Sequence, residues 1–169
     1  MEKLNWGIIG TGWIATEMAE ALNRVNGEIY AVCDVNLELA KKYANQYGVQ
    51  KAYDSAEKMI NDDKVDIVYI ATPHNLHYQF LIQSLKAGKH VICEKPFCTK
   101  ADQARELTAL AKEKRLFLAD AVPTAFLPNL EVLKRELPKV GKVRLVLGNY
   151  SQYSSRYDLV LQGEVPNVF

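Results

Sequence analysis

The chain has 169 residues, 49% of them hydrophobic and 24% charged, with a formal net charge of +1. This is ordinary globular composition with enough length to bury a core, and so even a charge balance gives no electrostatic reason to bind nucleic acid or an anionic membrane. The amino terminus, MEKLNWGIIG, lacks the basic segment, long apolar run and cleavage site of a secretory signal, and no run approaches the roughly 20 apolar residues of a spanning helix. Cys33, Cys93 and Cys98 show no CxxC spacing, so neither a disulfide framework nor a zinc site is expected, and the chain reads as reduced and cytoplasmic.

In chain order, LNWGII, EIYAVCD, VDIVYIA, HVICE and LFLAD read as strands too apolar to face water on one side. Between them EMAEALNRV, NLELAKKYANQY, LHYQFLIQSLKAG and ADQARELTALAKEK read as helices. That alternation predicts an α/β fold of the Rossmann type, a doubly wound parallel sheet, over about residues 1–120. Asp54 to Glu57 (DSAE) and Thr99 to Asp102 (TKAD) have the form of capping boxes, and Gly48 and Gly88 fall where helices should stop. Ala101, Ala104, Leu107 and Ala111 form a stripe at helical spacing.

After about residue 120 the pattern changes. PTAFLPNLEVLKREL, residues 123–137, predicts a helix that Pro128 breaks or kinks. KVRLVLGNYSQY then alternates Val143, Leu145 and Leu147 against Arg144, Val146 and Gly148, which predicts one long half-exposed strand to Tyr153. SSRYDLVLQGEVPNVF reads as a loop. Residues 121–169 are therefore expected to open a second, α+β domain and to leave it truncated.

Three strand exits carry candidate chemistry. In GIIGTGWIA, Gly10, Gly12 and Ala15 fill the small positions of GxGxxG/A after a strand and at the start of a helix, where backbone can approach a pyrophosphate. A Gly-rich tight turn would look the same. The second strand, however, ends at Asp34 about 20 residues on, where a carboxylate accepts the two hydroxyls of an adenosine ribose. No Arg stands beside Asp34 in DVNLE, so NAD is expected over NADP. Asp34 is also read as a cap for the helix that follows.

In VYIATPHNLHY, Pro73, His74, Asn75 and His77 lie at the carboxyl edge of the sheet, where open α/β sheets bind ligands; capping and surface exposure are the ordinary roles of such histidines. In VICEKPF the strand delivers Glu94 and Lys95 to the same edge, and Pro96, expected after a cis peptide, stiffens the exit. A lysine there can hydrogen-bond a hydroxyl being oxidised and stabilise the developing alkoxide, although a surface ion pair is the commoner fate of lysine.

G10-T-G-W-I-A15, Asp34, T72-P-H-N-L-H77 and G88-K-H-V-I-C-E-K-P96 together resemble the glucose-fructose oxidoreductase, inositol dehydrogenase and MocA (Gfo/Idh/MocA) family over essentially the whole chain. The resemblance implies an NAD(P)-dependent oxidoreductase moving a hydride between nicotinamide and a secondary alcohol of a sugar, cyclitol or diol. Lys95 would be the catalytic residue. The glycine-rich segment Gly10, Thr11, Gly12, Trp13, Ile14 and Ala15 would hold the pyrophosphate, and Thr72, Pro73, His74, His77 and Glu94 would surround the nicotinamide and its ribose.

It further implies a chain roughly twice this length, in which residues 121–169 begin a substrate and dimerisation domain, with an Asp and a His beyond Phe169, and a homo-oligomer formed through the carboxyl-terminal sheet. His74 stands where Asn is common, as in the dihydrodiol dehydrogenase branch, and Pro123 and Ala125 stand where many members have Trp and Arg. A non-catalytic, dinucleotide-binding regulatory protein is the alternative, against which the retained Lys95 argues. A short-chain reductase would need Tyr-x-x-x-Lys after the fourth strand, and none is present.

Overall fold

The computed structural model describes residues 3–151, 153 and 157–163, and these form one compact unit up to Ala121 and a second from Val122. In the first unit, strands β1 (Asn5–Ile9), β2 (Glu28–Cys33), β3 (Lys51–Tyr53), β4 (Ile67–Ile70), β5 (His90–Glu94) and β6 (Leu118–Ala121) build one sheet in the order β3-β2-β1-β4-β5-β6. Every pairing is parallel. This is the doubly wound Rossmann order, with its switch point between β1 and β4.

Successive strand residues point to opposite faces, so each face has its own core. Ile8, Val32 and Tyr69 pack with Ala15, Ala19 and Leu22 of α1 (Trp13–Arg24) and Ala40 and Tyr43 of α2 (Leu37–Tyr47). Ile9, Val68, Ile70 and Val91 pack on the other side with helices α3 (Ala56–Ile60), α4 (His77–Lys86) and α5 (Ala101–Glu113). Leu81, Leu85 and Leu107 are fully buried there; truncating any one to Ala costs about 2–5 kcal/mol.

The five predicted strands are present, and β3 adds a sixth. At three residues, KAY is too short to show a period. The expected caps move. Ser55, extended at φ −138°, is the residue before α3 and accepts from the Lys58 amide at 3.4 Å, while Asp54 pairs with the Lys58 ammonium at 2.9 Å. Asn36 caps α2 through the Glu38 amide at 3.0 Å, so Asp34 does not. Lys100 precedes α5 without a side-chain cap, and Thr99 instead donates to Gln103.

Among the described residues of the second unit, a 3-10 turn (Pro123–Phe126), α6 (Pro128–Glu136), a 3-10 turn (Leu137–Val140) and α7 (Tyr157–Leu161) are regular. The predicted helix breaks at Leu127, which Pro128 holds in the extended region at φ −69°, ψ 135°. The expected strand from Val143 to Tyr153 is not formed: residues 142–151 and 153 join no ladder. Alternation orients side chains, but a strand exists only when another strand takes its amides and carbonyls, and Val143, Leu145 and Leu147 are all exposed. The expected loop contains α7, and residues 154–156 and 164–169 lie outside the described residues. No helix among the described residues is long and apolar enough to cross a membrane.

One polar hub ties β2, β3 and the turn before β4. Asp62 Oδ2 accepts from Lys51 Nζ at 2.8 Å, Tyr53 Oη at 2.6 Å and Tyr30 Oη at 3.1 Å, and Oδ1 accepts from the Lys64 amide at 2.9 Å. The Asp62 carbonyl accepts from the buried Lys89. The Lys51 hydrogen bond, then those of Tyr53 and Lys64, hold the Asp62 carboxyl well below its ordinary value of 3.8. A depressed folded-state pKa adds stability that is present above the ordinary value and lost as pH falls through the folded one. Asp62→Asn should therefore cost about 1–3 kcal/mol at neutral pH. In urea melts the gap between wild type and variant should close below pH 3.8; a gap independent of pH would assign the loss to shape alone.

Candidate functional site

The chain leaves β1 at Gly10 in a conformation, φ +105°, that only glycine adopts readily. The Gly10 amide donates to the Cys33 carbonyl at 2.8 Å, and the Ala71 amide donates to the Ile9 carbonyl at 2.9 Å. A Cβ on Gly10 would sit 2.5 Å from the Ala71 oxygen, whereas one on Gly12 would meet nothing within 4 Å. The exits of β1, β2 and β4 are thus pulled together, and beside them lies an open cleft of about 570 Å³.

Gly10, Thr11, Gly12, Asp34, Thr72 and Pro73 all line this cleft. Asp34 is oriented before any ligand arrives: Oδ2 accepts from Thr11 Oγ1 at 2.6 Å and Oδ1 from the Asn36 amide at 3.0 Å. Gly12 caps α1 without a side-chain bond, and the first turn carries no acid, so the helix amides stay available to an anion. Thr72 Oγ1 is buried with no hydrogen-bond partner among the described residues. Trp13 and Ile14 form the first turn of α1, and Ala15 is fully buried under it, its carbonyl accepting from Tyr43 Oη at 2.6 Å. These residues fit a dinucleotide: open space at Gly12 and a bare helix end for pyrophosphate, a fixed carboxylate for ribose hydroxyls, and a spare hydroxyl at the β4 exit.

The catalytic candidates lie further along the same edge. Glu94 ends β5, largely buried; Oε1 accepts from Tyr69 Oη at 2.6 Å and Oε2 from the Lys95 amide at 3.2 Å. Burial first, then Glu94, raises the Tyr69 pKa, so its proton stays on the phenol. The Lys95–Pro96 peptide is cis. Lys95 is exposed, and its ammonium makes no hydrogen bond or ion pair among the described residues; it does not lie among apolar strands.

His77 differs from the exposed role its neighbours suggested. It is 1% exposed, with Nδ1 2.8 Å from the Pro96 carbonyl and Nε2 2.9 Å from that of Thr72. The ring bridges the two exits and lines no part of the cleft, and neither does His74 in the 3-10 turn His74–Leu76.

Sequence reasoning missed two groups. Asp54, Ser55 and Glu57 form the far lip of the cleft after β3, and only the DSAE segment hinted at them. Asp120 on β6 lies near Glu94; partial burial first, then Glu94, pushes its carboxyl above the ordinary range, while His77 draws it back. As an isolated acid in LFLAD it gave no signal.

Residues 4–120 match the model of the Gfo/Idh/MocA oxidoreductase family, NAD-binding Rossmann fold. The chain belongs to this family. Over 167 residues it is 40% identical to the oxidoreductase YgjR of Escherichia coli and 36% identical to the NADP-dependent scyllo-inositol 2-dehydrogenase IolU of Bacillus subtilis, in each case covering 98% of this chain and 51% of the relative. A trans-1,2-dihydrobenzene-1,2-diol dehydrogenase of Sus scrofa is 35% identical over 88% of this chain and 46% of its own. Among solved structures, an NAD-binding oxidoreductase from Klebsiella pneumoniae is similar with a TM-score of 0.76 at 30% identity, covering 82% of this chain and 39% of that one. A 3-ketoreductase from Actinomadura kijaniata, in complex with NADP and TDP-benzene, gives 0.78 at 28% identity, covering 82% and 43%. The chain spans about half the length of the curated relatives it matches. Its cofactor is a nicotinamide dinucleotide.

The two glycines separate architecture from binding. Gly10→Ala should lower stability by about 1–3 kcal/mol, the cost of strained backbone, and weaken dinucleotide binding at least about tenfold. Gly12→Ala, with room for its methyl group, should cost only about 0.5 kcal/mol yet still weaken binding by obstructing the pyrophosphate. Thermal melts beside NADH fluorescence titrations check this; equal stability losses would contradict the geometry.

Proposed function

We propose that this chain provides the cofactor-binding part of a dehydrogenase or reductase acting on a secondary alcohol, or its ketone, in a sugar, cyclitol or diol, with NAD preferred over NADP. The observation that carries the reading is the cleft at the β1/β4 switch point, where Thr11 and the Asn36 amide hold Asp34 ready for ribose hydroxyls beside the exit that presents Lys95. When bound, the nicotinamide supplies the hydride acceptor or donor.

The remaining work falls to residues of this chain. The amides at the start of α1 meet the pyrophosphate. Lys95 Nζ, without a protein partner among the described residues, donates a hydrogen bond to the substrate oxygen and stabilises the negative charge on it. Glu94 accepts from Tyr69 at one oxygen and from the Lys95 amide at the other, and so orients the turn. Relatives named for a cyclitol and a dihydrodiol, and the resemblance of the EKP and TPxxxH turns to the family's pattern, support the substrate class.

Calorimetric titration should show NAD binding more tightly than NADP, with Asp34→Ser narrowing the gap; tighter NADP binding by the unaltered chain would overturn the preference. In the whole protein, once a polyol panel has identified a substrate, Lys95→Ala should lower turnover by about a hundredfold or more with NAD affinity little changed. Near-normal turnover would return Lys95 to the surface.

A further inference from the structure

The charge around the cleft is one-sided. Asp34, Asp54 and Glu57 line it, and no lysine, arginine or histidine is among its described lining residues. Asp54 holds a particular place within that set. Cys33 and Tyr53 are register partners at the ends of β2 and β3, and the Asp34 amide donates to the Tyr53 carbonyl at 3.1 Å. Asp34 and Asp54 therefore leave neighbouring strands side by side, with backbones about 5 Å apart. The Cys33 thiol beneath them is pushed up to about 12, by burial first and then by Asp34 and Asp54. Lys58, which is not among the lining residues, pairs with Asp54 Oδ1 at 2.9 Å.

Resting on the dinucleotide reading, we infer that Asp54 is a second residue determining cofactor specificity, one that disfavours a phosphate on the adenosine ribose independently of Asp34. Each carboxylate acts differently on the two cofactors. Asp34 accepts from ribose hydroxyls, and so gains from NAD what it loses with NADP. Asp54 Oδ1 is engaged with Lys58, and the contribution assigned to Asp54 is repulsion of a dianionic phosphate at close range. Lys58 partly cancels that repulsion while it stays paired.

These roles predict opposite signs for two neighbouring substitutions. Asp54→Asn removes the charge, keeps the shape and releases Lys58 toward the cleft, so the ratio of NADP to NAD affinity should rise by about two- to fivefold, the scale of a half-exposed charge pair. Lys58→Gln leaves Asp54 uncompensated, and the same ratio should fall. In Asp34→Ser/Asp54→Asn the ratio should rise above that of either single variant.

The test is calorimetric titration of NAD and NADP into the wild-type chain and these variants at low and high salt, with far-UV circular dichroism confirming equal folding. Opposite shifts for Asp54→Asn and Lys58→Gln, both shrinking with salt, support the inference; Asp54→Ser provides a second removal of the charge should Asn misfold. If NAD binds and Asp34→Ser changes the ratio while neither Asp54 variant does, Asp34 alone discriminates and the inference falls. Binding of neither nucleotide by the wild type would overturn the dinucleotide reading itself, and this inference with it.

Discussion

The passage of Gly10 against the Ala71 carbonyl is the contact on which the cleft depends. Two parallel strands that run in sequence order 1 and 4 lie side by side in this sheet, and their connections leave in opposite directions across its faces. The exits must nevertheless stay close enough for the Ala71 amide to reach the Ile9 carbonyl and the Gly10 amide to reach that of Cys33. A side chain at position 10 would meet the Ala71 oxygen at 2.5 Å. Glycine here does more than permit a turn: it sets how near the exits of β1, β2 and β4 can lie, and so where Asp34, Thr11 and Thr72 stand.

A second constraint joins that cleft to the turn that carries Lys95. The buried His77 ring lies within hydrogen-bond distance of two backbone carbonyl oxygens, one at each ring nitrogen. Its partners are not arbitrary. Thr72 begins the cofactor turn, and Pro96 follows the proposed catalytic lysine. The buried imidazole thus fixes the distance between two loops that belong to different strands, and Tyr69 does similar work one layer over by holding Glu94, which in turn holds the Lys95 amide. The exposed side chain of Lys95 stands on a backbone whose position is determined from several directions.

Much of this was legible in the sequence, and the exceptions have common causes. Ile67–Ile70, buried at every position, announces itself as an inner parallel strand, and Gly10, Gly12 and Asp34 declare a site by motif. What a one-dimensional pattern lacks is neighbours. Asp54 matters because β3 lies beside β2, yet KAY is too brief to be read as a strand. His77 is buried because Pro96 and Thr72 close over it, a fact that its place in TPHNLH does not contain. Asp34 was read as the cap of α2, but the geometry gives the cap to Asn36 and the amide of Asn36 to Asp34. From Val143 the alternation was genuine, but it describes one side of a ladder whose other side is missing among the described residues.

The two tasks of the site make different demands on water. Binding a dinucleotide relies on amides at a helix end and on a carboxylate meeting neutral hydroxyls. Such hydrogen bonds work in a half-open cleft because geometry was settled in advance by Gly10, Thr11 and Asn36. Stabilising a growing alkoxide relies on the charge of one ammonium, and an exposed charge at about 4 Å is worth only about 1 kcal/mol against water, several times more once the dielectric falls. Lys95 is exposed, so in the proposed reaction its strength depends on how far the substrate, and whatever covers the sheet edge, exclude water from that exit. The cleft is arranged for a cofactor as it stands, whereas in the proposed reaction the lysine gains strength only as it is desolvated.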